Sequence, residues 1–203
     1  MNYEFCINLH KKSMPLHSYA VLIAFTLLAL VLGFIVATLQ QKNVHLLGKP
    51  TIDKFFFYSG KFSLLACWGF FILKAVLPTI GYIDVPRYLS WAGVSLLYLG
   101  GILLVYSFVS LGDSLKVGLP ENNTKLKTSG IYRYSRNPIY LSVYIICLAS
   151  CIYFPDLLNV TLAVYGIIIH HKIVQGEETF LARRFGEEWE KYSMHVNRYF
   201  QLF

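Results

Sequence analysis

Ser129-Gly130-Ile131-Tyr132-Arg133-Tyr134-Ser135-Arg136-Asn137-Pro138-Ile139-Tyr140 runs straight into an apolar block that ends at Pro155-Asp156. Cations and a capping dipeptide thus stand directly before a membrane-length segment. Asn137 suits an N-cap, and Pro138 suits the first helical position. A helix entering a bilayer at Pro138 leaves its first N–H groups, and its positive dipole end, at the water interface. Arg133 and Arg136 stand beside that end, which is a suitable place for the carboxylate of a ligand. The same pattern also describes an ordinary capped helix whose basic residues mark the cytoplasmic side. Local physics alone leans slightly towards this second account.

The rest of the chain decides the class. It has 203 residues, 56% hydrophobic and 14% charged, with mean hydropathy +0.51. Soluble domains carry about 25% charged residues. The apolar residues come in five blocks, roughly 17–40, 55–77, 88–111, 138–155 and 157–174, each near the ~20 residues that cross a bilayer as a helix. The expected fold is therefore all-α and integral to a membrane: five transmembrane helices and a cytoplasmic amphipathic C-terminal helix. Pro155-Asp156 between the last two blocks predicts a tight helical hairpin. Lys11 and Lys12 precede the first block, as in a signal peptide. The run from Tyr19 to Leu39 is too long for that, so it is expected to be a permanent span.

Lys42, Lys49, Lys54, Lys116, Lys125, Lys127, Arg133, Arg136 and the basic C-terminal tail fall on one side, and Lys11, Lys12 and Arg87 on the other. Positive charge accumulates on the cytoplasmic side, so the C-terminus is expected there and the N-terminus outside. Lys61 and Lys74 lie near the ends of the second block and can snorkel to the interface. The net charge of +7 then reflects topology and attraction to anionic membrane lipids rather than nucleic-acid binding. Cys67, Cys147 and Cys151 fall inside the apolar blocks and Cys6 stands apart, which fits small packing residues rather than a disulfide framework or metal ligands.

Residues 1–111 read as N-terminal membrane helices, and residues 112–203 as the half that carries chemistry. The loop Gly112–Asn137 is about 26 residues long, beyond the usual length of a structureless connection. In the tail, Leu181, Phe185, Trp189, Tyr192, Val196 and Tyr199 line one helical face, opposite Arg183, Glu187, Glu190 and Lys191. An amphipathic helix lying on the bilayer has this pattern. The stripe runs back to Glu177, Val174 and His170 if the fifth span continues into this helix; Gly176 could instead bend it. Carboxylates at a membrane edge need a cation or donor, and Arg136 or a cationic cofactor could serve. The spacing lacks His-Glu-x-x-His, so no metal is expected.

Gly130-Ile131-Tyr132, Arg136-Asn137-Pro138-x-Tyr140 and Glu177-Glu178-x-x-Leu181-x-x-x-Phe185-Gly186-x-x-Trp189-x-x-Tyr192-x-x-x-Val196-x-Arg198 together resemble the isoprenylcysteine carboxyl methyltransferase family, over residues 111–200. The resemblance implies an integral membrane methyltransferase using S-adenosyl-L-methionine at the cytoplasmic membrane edge, in the inner or plasma membrane if the host is bacterial. It implies that Lys125, Leu126 and Lys127 line the cofactor, that Tyr132, Asn137, Pro138, Ile139 and Tyr140 complete its cradle, and that Glu177 binds it. Arg136 would sit where the reacting groups meet. The acceptor would be lipophilic and enter from the bilayer. Asn137 stands where eukaryotic members commonly have histidine, as in bacterial relatives. Ile173 occupies the place of a substrate-contacting arginine.

Carboxyl O-methylation of a lipid-modified, isoprenylcysteine-like substrate leads among the activities. N- or S-methylation of a phospholipid or other small amphiphile is the alternative; an amine must lose a proton and needs a base such as Glu178. Behind these stand a sterol-reductase-like enzyme and a non-enzymatic membrane protein. The chain lacks a dinucleotide glycine fingerprint, and its polar groups gather at one edge rather than at the midplane, where transport sites lie. The orientation is directly testable. In a cysteine-depleted variant, Glu187→Cys and Lys191→Cys should react with an impermeant thiol reagent only from the cytoplasmic side. Labelling from outside overturns the assignment.

Overall fold

The computed structural model describes residues 14–41, 49–112 and 126–200. They form α1 (Leu16–Gln41), α2 (Lys54–Val76), α3 (Arg87–Leu111), a 3-10 turn (Gly130–Arg133), α4 (Pro138–Tyr153), α5 (Leu157–Phe185) and α6 (Glu187–His195). α3 packs mainly on α4, and α2 mainly on α5, while α1 covers α3 and α2. The largest core cluster joins Val21 and Leu28 of α1, Phe71 of α2, Leu97 and Leu104 of α3 and Ile146 of α4.

Among the described residues, four helices rather than five are long and apolar enough to cross a membrane: α1, α2, α3 and α5. The count of five spans is not confirmed at α4, which is apolar but has 16 residues. At ~1.5 Å per residue it is about 24 Å long, against a hydrocarbon core of ~30 Å. Both ends are set by sequence. Pro138 starts the helix at its first position. Phe154-Pro155-Asp156 ends it, and the Asp156 carboxylate accepts from Leu158 N at 3.0 Å and Asn159 N at 3.5 Å to cap α5. The predicted hairpin is present, and a buried polar knot fastens it. Asn159 Nδ2 donates to Phe154 O at 2.8 Å and to Ser150 Oγ at 3.1 Å. Ser150 Oγ in turn donates to Cys67 O of α2 at 2.8 Å.

α5 has 29 residues and runs unbroken through Gly176, which lies against Thr51. The helix breaks instead at Gly186, whose φ of +50° is a conformation that side-chain-bearing residues rarely adopt. The tail is therefore not one amphipathic helix on a lipid surface. α6 has nine residues. It folds back so that Trp189, Tyr192 and Val196 pack on Leu126, Leu181, Ala182 and Phe185. The apolar stripe read from the sequence is real, but the protein's own residues cover it.

At the end of the bundle away from α6, Tyr153 takes His17 Nδ1 at 2.8 Å and Ser18 Oγ at 3.1 Å as hydrogen-bond partners. Lys74 Nζ donates to Pro78 O at 2.8 Å and Ile80 O at 2.6 Å. Its ammonium thus reaches carbonyls beyond the end of α2, as snorkelling requires.

α3 and α4 approach closely at Gly100. A Cβ there would lie 2.7 Å from Ile146 Cγ1 and 3.0 Å from Ser142 O. Overpacking of this kind costs about 1–3 kcal/mol, so Gly100→Val should lower the melting temperature in detergent by several degrees. Gly33→Ala, where nothing lies within 4 Å, should not. Equal melting of the two variants contradicts the packing described.

Candidate functional site

The start of α4 and the end of α5 meet beneath the last described residues of the chain. Glu178 is the meeting point. It is buried, and three side chains serve it. Asn137 Nδ2 donates to its Oε1 at 2.8 Å. Arg198 approaches Oε2 with Nε at 2.9 Å and Nη2 at 2.8 Å. Arg136 Nε stands 3.3 Å from Oε1, close enough for ion pairing but not aligned for a hydrogen bond. The Arg136 guanidinium also lies 5.6 Å from the centre of the Trp189 ring, within cation–π range. The bond to Glu178 raises the pKa of Arg198 further, so the group is a fixed cation.

Residues 196–200 cross this junction as a strap. Arg136 N donates to Asn197 O at 3.0 Å, and Asn137 N to Arg198 O at 3.1 Å. Asn137 Nδ2 also reaches Arg198 O at 3.2 Å. Next along, Tyr199 OH bonds to His171 Nδ1 at 2.8 Å and approaches Tyr144 OH at 3.5 Å. Tyr192 OH of α6 donates to Tyr132 O at 2.6 Å. Burial pushes the Tyr132 and Tyr192 phenols well above their usual range, so both stay neutral and Tyr192 remains a donor.

Glu177 faces elsewhere. Tyr140 OH donates to its Oε1 at 2.8 Å. Lys61 of α2, whose ammonium lies 4.5 Å from the Phe57 ring centre, is near enough to interact with it electrostatically. Adjacent residues of α5 thus serve two different neighbourhoods. Glu178 is shared among three donors from the α4 start and the strap. Glu177 lies beside Tyr140 in the α4–α5 seam.

The sequence-derived candidates are therefore distributed as follows. Arg136, Asn137 and Glu178 come together, and Tyr140 joins Glu177. Asn137 occupies the cap position of α4 but makes no side-chain cap bond; its amide turns to Glu178 and the strap instead. Pro138 is fully buried. The Ile139 side chain packs towards the α1–α3 core, which leaves only its backbone for a ligand. Leu126 packs with α6, Lys127 is half-buried, and Lys125 lies outside the described residues. Among those residues, no group of three His, Cys, Asp or Glu side chains is placed to hold a metal.

Sequence reasoning missed the parts played by Arg198, Lys61 and Trp189. Arg198 was visible as the last position of the tail motif. Nothing local linked it to a glutamate twenty residues earlier. Lys61 read as an interfacial lysine because its partner sits on another helix.

Residues 88–188 match the family model of the phospholipid methyltransferases. That family lies in the same membrane methyltransferase superfamily as the isoprenylcysteine carboxyl methyltransferases. The match takes in α3, the 3-10 turn, α4 and α5, just under half of the chain. No curated protein matches the chain. The family match and the long apolar helices together support an integral membrane methyltransferase.

The Arg198–Glu178 pair is partly shielded, with the Arg198 side chain 35% exposed and that of Glu178 9%. Its coupling should fall between surface and buried pairs, at about 1–3 kcal/mol. A double-mutant cycle of Arg198→Ala and Glu178→Gln, followed by thermal unfolding, should show that coupling. Simple additivity would mean that the strap is not held by this pair.

Proposed function

We propose that this chain transfers a methyl group from S-adenosyl-L-methionine to a carboxylate on a lipophilic, isoprenylcysteine-like acceptor entering from the bilayer, at a site facing the cytoplasm. The family match supports a methyl donor of this class. The fit of this chain's residues to such a donor rests on unused polar groups at the α4 start. The first turn of α4 has no side-chain cap, so its early N–H groups and positive dipole end remain available to an anionic group. The second oxygen of Glu177, beside Tyr140, suits an ammonium or a ribose hydroxyl. Tyr132, Asn137, Pro138, Ile139 and Tyr140 supply the backbone around it, with Leu126, Lys127 and Lys125 on the approach. Bound there, the donor supplies an electrophilic methyl on a sulfonium sulfur, and an ionised carboxylate accepts it without a general base.

The acceptor class rests on charge. Arg136 and Arg198 share one carboxylate, Glu178. The cluster therefore keeps a surplus positive charge at a place where burial reduces screening. An anionic head group completes it. Arg136, held by Trp189 and by its backbone bond to the strap, orients that head group. Glu178 holds the two guanidiniums apart, and the packed ends of α4, α5 and α6 exclude water, which strengthens each of these contacts. The chemistry asks for alignment more than for proton transfer.

A second reading has the family match in its favour: N-methylation of a phospholipid amine. That reaction needs a proton acceptor, and Glu178 is the nearest carboxylate to Arg136. Three donors already hold it, so the cluster would have to loosen before Glu178 could act as a base. Labelled donor offered with long-chain carboxylate and long-chain amine acceptors separates the two readings, and label entering only the amine overturns ours.

Two substitutions test the assignments. Glu177→Gln should weaken binding of S-adenosylhomocysteine, measured by calorimetry, by about tenfold or more, the worth of one charged hydrogen bond. Glu178→Gln should weaken it less, because that carboxylate is engaged within the protein. Undiminished affinity in Glu177→Gln removes Glu177 from the donor site, and tight binding of NADPH instead of S-adenosylhomocysteine removes the donor altogether. Arg136→Lys keeps the charge but loses the planar two-point contact. It should lower turnover while donor affinity stays constant, and full turnover in that variant removes Arg136 from the acceptor site.

A further inference from the structure

α1 and α3 run in the same direction. His17 sits beside Trp91, Tyr98 OH donates to Ala20 O at 3.1 Å, and Leu28 faces Gly101. Between the two helices lies a groove of about 390 Å³, within the size range of small-molecule sites. Leu27 and Val31 form one wall, and Ile102, Val105 and Val109 the other. The floor is Gly101, where an added Cβ would lie 4.0 Å from Leu28 Cδ1 and touch nothing nearer. The Tyr98–Ala20 bond closes one end. From Tyr98 to Val109 the groove follows α3 for about 16 Å.

The other end leads to the candidate site. Tyr106 lines the groove, and its hydroxyl lies 4.0 Å from where a Cβ on Gly130 would stand, with Ser110 Oγ at 3.2 Å. The Gly130–Arg133 turn therefore sits over the open end. That turn carries Arg133 and Tyr132, and Lys127 precedes it. An apolar groove, open along its side, that ends at cations has the polarity of a single-chain anionic amphiphile, tail along the groove and head at the turn. Lipid tails are as apolar as the groove wall, so the walls select by shape and direction rather than by hydrophobicity. The cations at the turn then draw the head towards Arg136.

We propose that the α1–α3 groove binds the hydrocarbon chain of the methyl acceptor and leads its carboxylate past the Gly130–Arg133 turn towards Arg136. This rests on the carboxyl methyltransferase reading above and gives α1, which lies outside the family match, a part in acceptor binding.

The probe is palmitic acid carrying a mid-chain diazirine, added to the full-length protein in phosphatidylcholine vesicles and photolysed. Adducts mapped by mass spectrometry should concentrate on residues 24–31 of α1 and 98–109 of α3. Phe62 and Leu65 of α2 and Val164 and Ile168 of α5, which are equally exposed apolar residues, should carry few. An even spread over all four helices means ordinary surrounding lipid and overturns the proposal. Gly101→Leu fills the floor. It should remove most groove adducts and raise KM for a long-chain carboxylate severalfold, leaving KM for butyrate and affinity for S-adenosylhomocysteine unchanged. Unchanged labelling and KM in that variant also overturn the proposal. Photolabelling needs no turnover, so the two readings fail separately. Methyl transfer with even labelling sinks the groove alone. Groove labelling without transfer to any acceptor sinks the methyltransferase reading, and the occupant's role as acceptor with it.

Discussion

A carboxylate carried to the edge of a bilayer gives up its hydration, and the protein must replace it with donors of its own. At Glu178 those donors come from three places: Asn137 at the start of α4, Arg136 just before it, and Arg198 near the end of the chain. Arg136 and Asn137 are neighbours in sequence, but Arg198 lies 61 residues beyond Asn137. The demand of one buried charge therefore ties the C-terminal part of α5 to the α4 start and to the strap. The backbone bonds between 136–137 and 197–198 then follow the same line. Removing the carboxylate would leave two guanidiniums side by side, so the cluster holds together only as a unit.

The same arrangement bears on chemistry. A site built from two cations and one anion carries a built-in preference for a second anion, independent of the shape of that ligand. Next to it, Glu177 has different surroundings: a phenol donor and one nearby ammonium. Two adjacent glutamates on one helix thus differ in charge balance, two guanidiniums facing Glu178 and a single ammonium standing near Glu177.

The helical class and the hairpin at Pro155-Asp156 were legible in the sequence, as was the need of a tail carboxylate for a cation such as Arg136; that Glu178 rather than Glu177 meets it was not, because the apolar stripe pointed to Glu177. Hydropathy and proline placement are local signals, and the motif spacing carried the rest. The length of α4 was legible to within two residues: its apolar block runs on to Phe154-Pro155, and the hydrogen bonds of Asn159 and Asp156 stand where the helix stops at Tyr153. The tail was half legible. Its apolar stripe is correct, but a period of 3.6 does not reveal whether the stripe meets lipid or protein, and the turn at Gly186 decides that. Arg198 and Lys61 were illegible as site residues because each meets its partner through tertiary packing across at least one other element.

One consequence follows from the 16-residue α4 standing between neighbours of 25 and 29 residues. The molecule is an uneven plug. Lipids beside α4 meet a shorter hydrophobic wall than lipids beside α3, and they thin or let their head groups dip to match it. Either response draws the water boundary inward towards Pro138. On the function proposed above, the distance that an acceptor's head group would travel from the leaflet surface to the α4 start would then be a property of the membrane as much as of the protein. A bilayer of short or unsaturated chains brings the two together, and a thick, ordered one holds them apart. Hydrophobic mismatch at a single helix would in this way couple the protein's work to the composition of the bilayer it sits in.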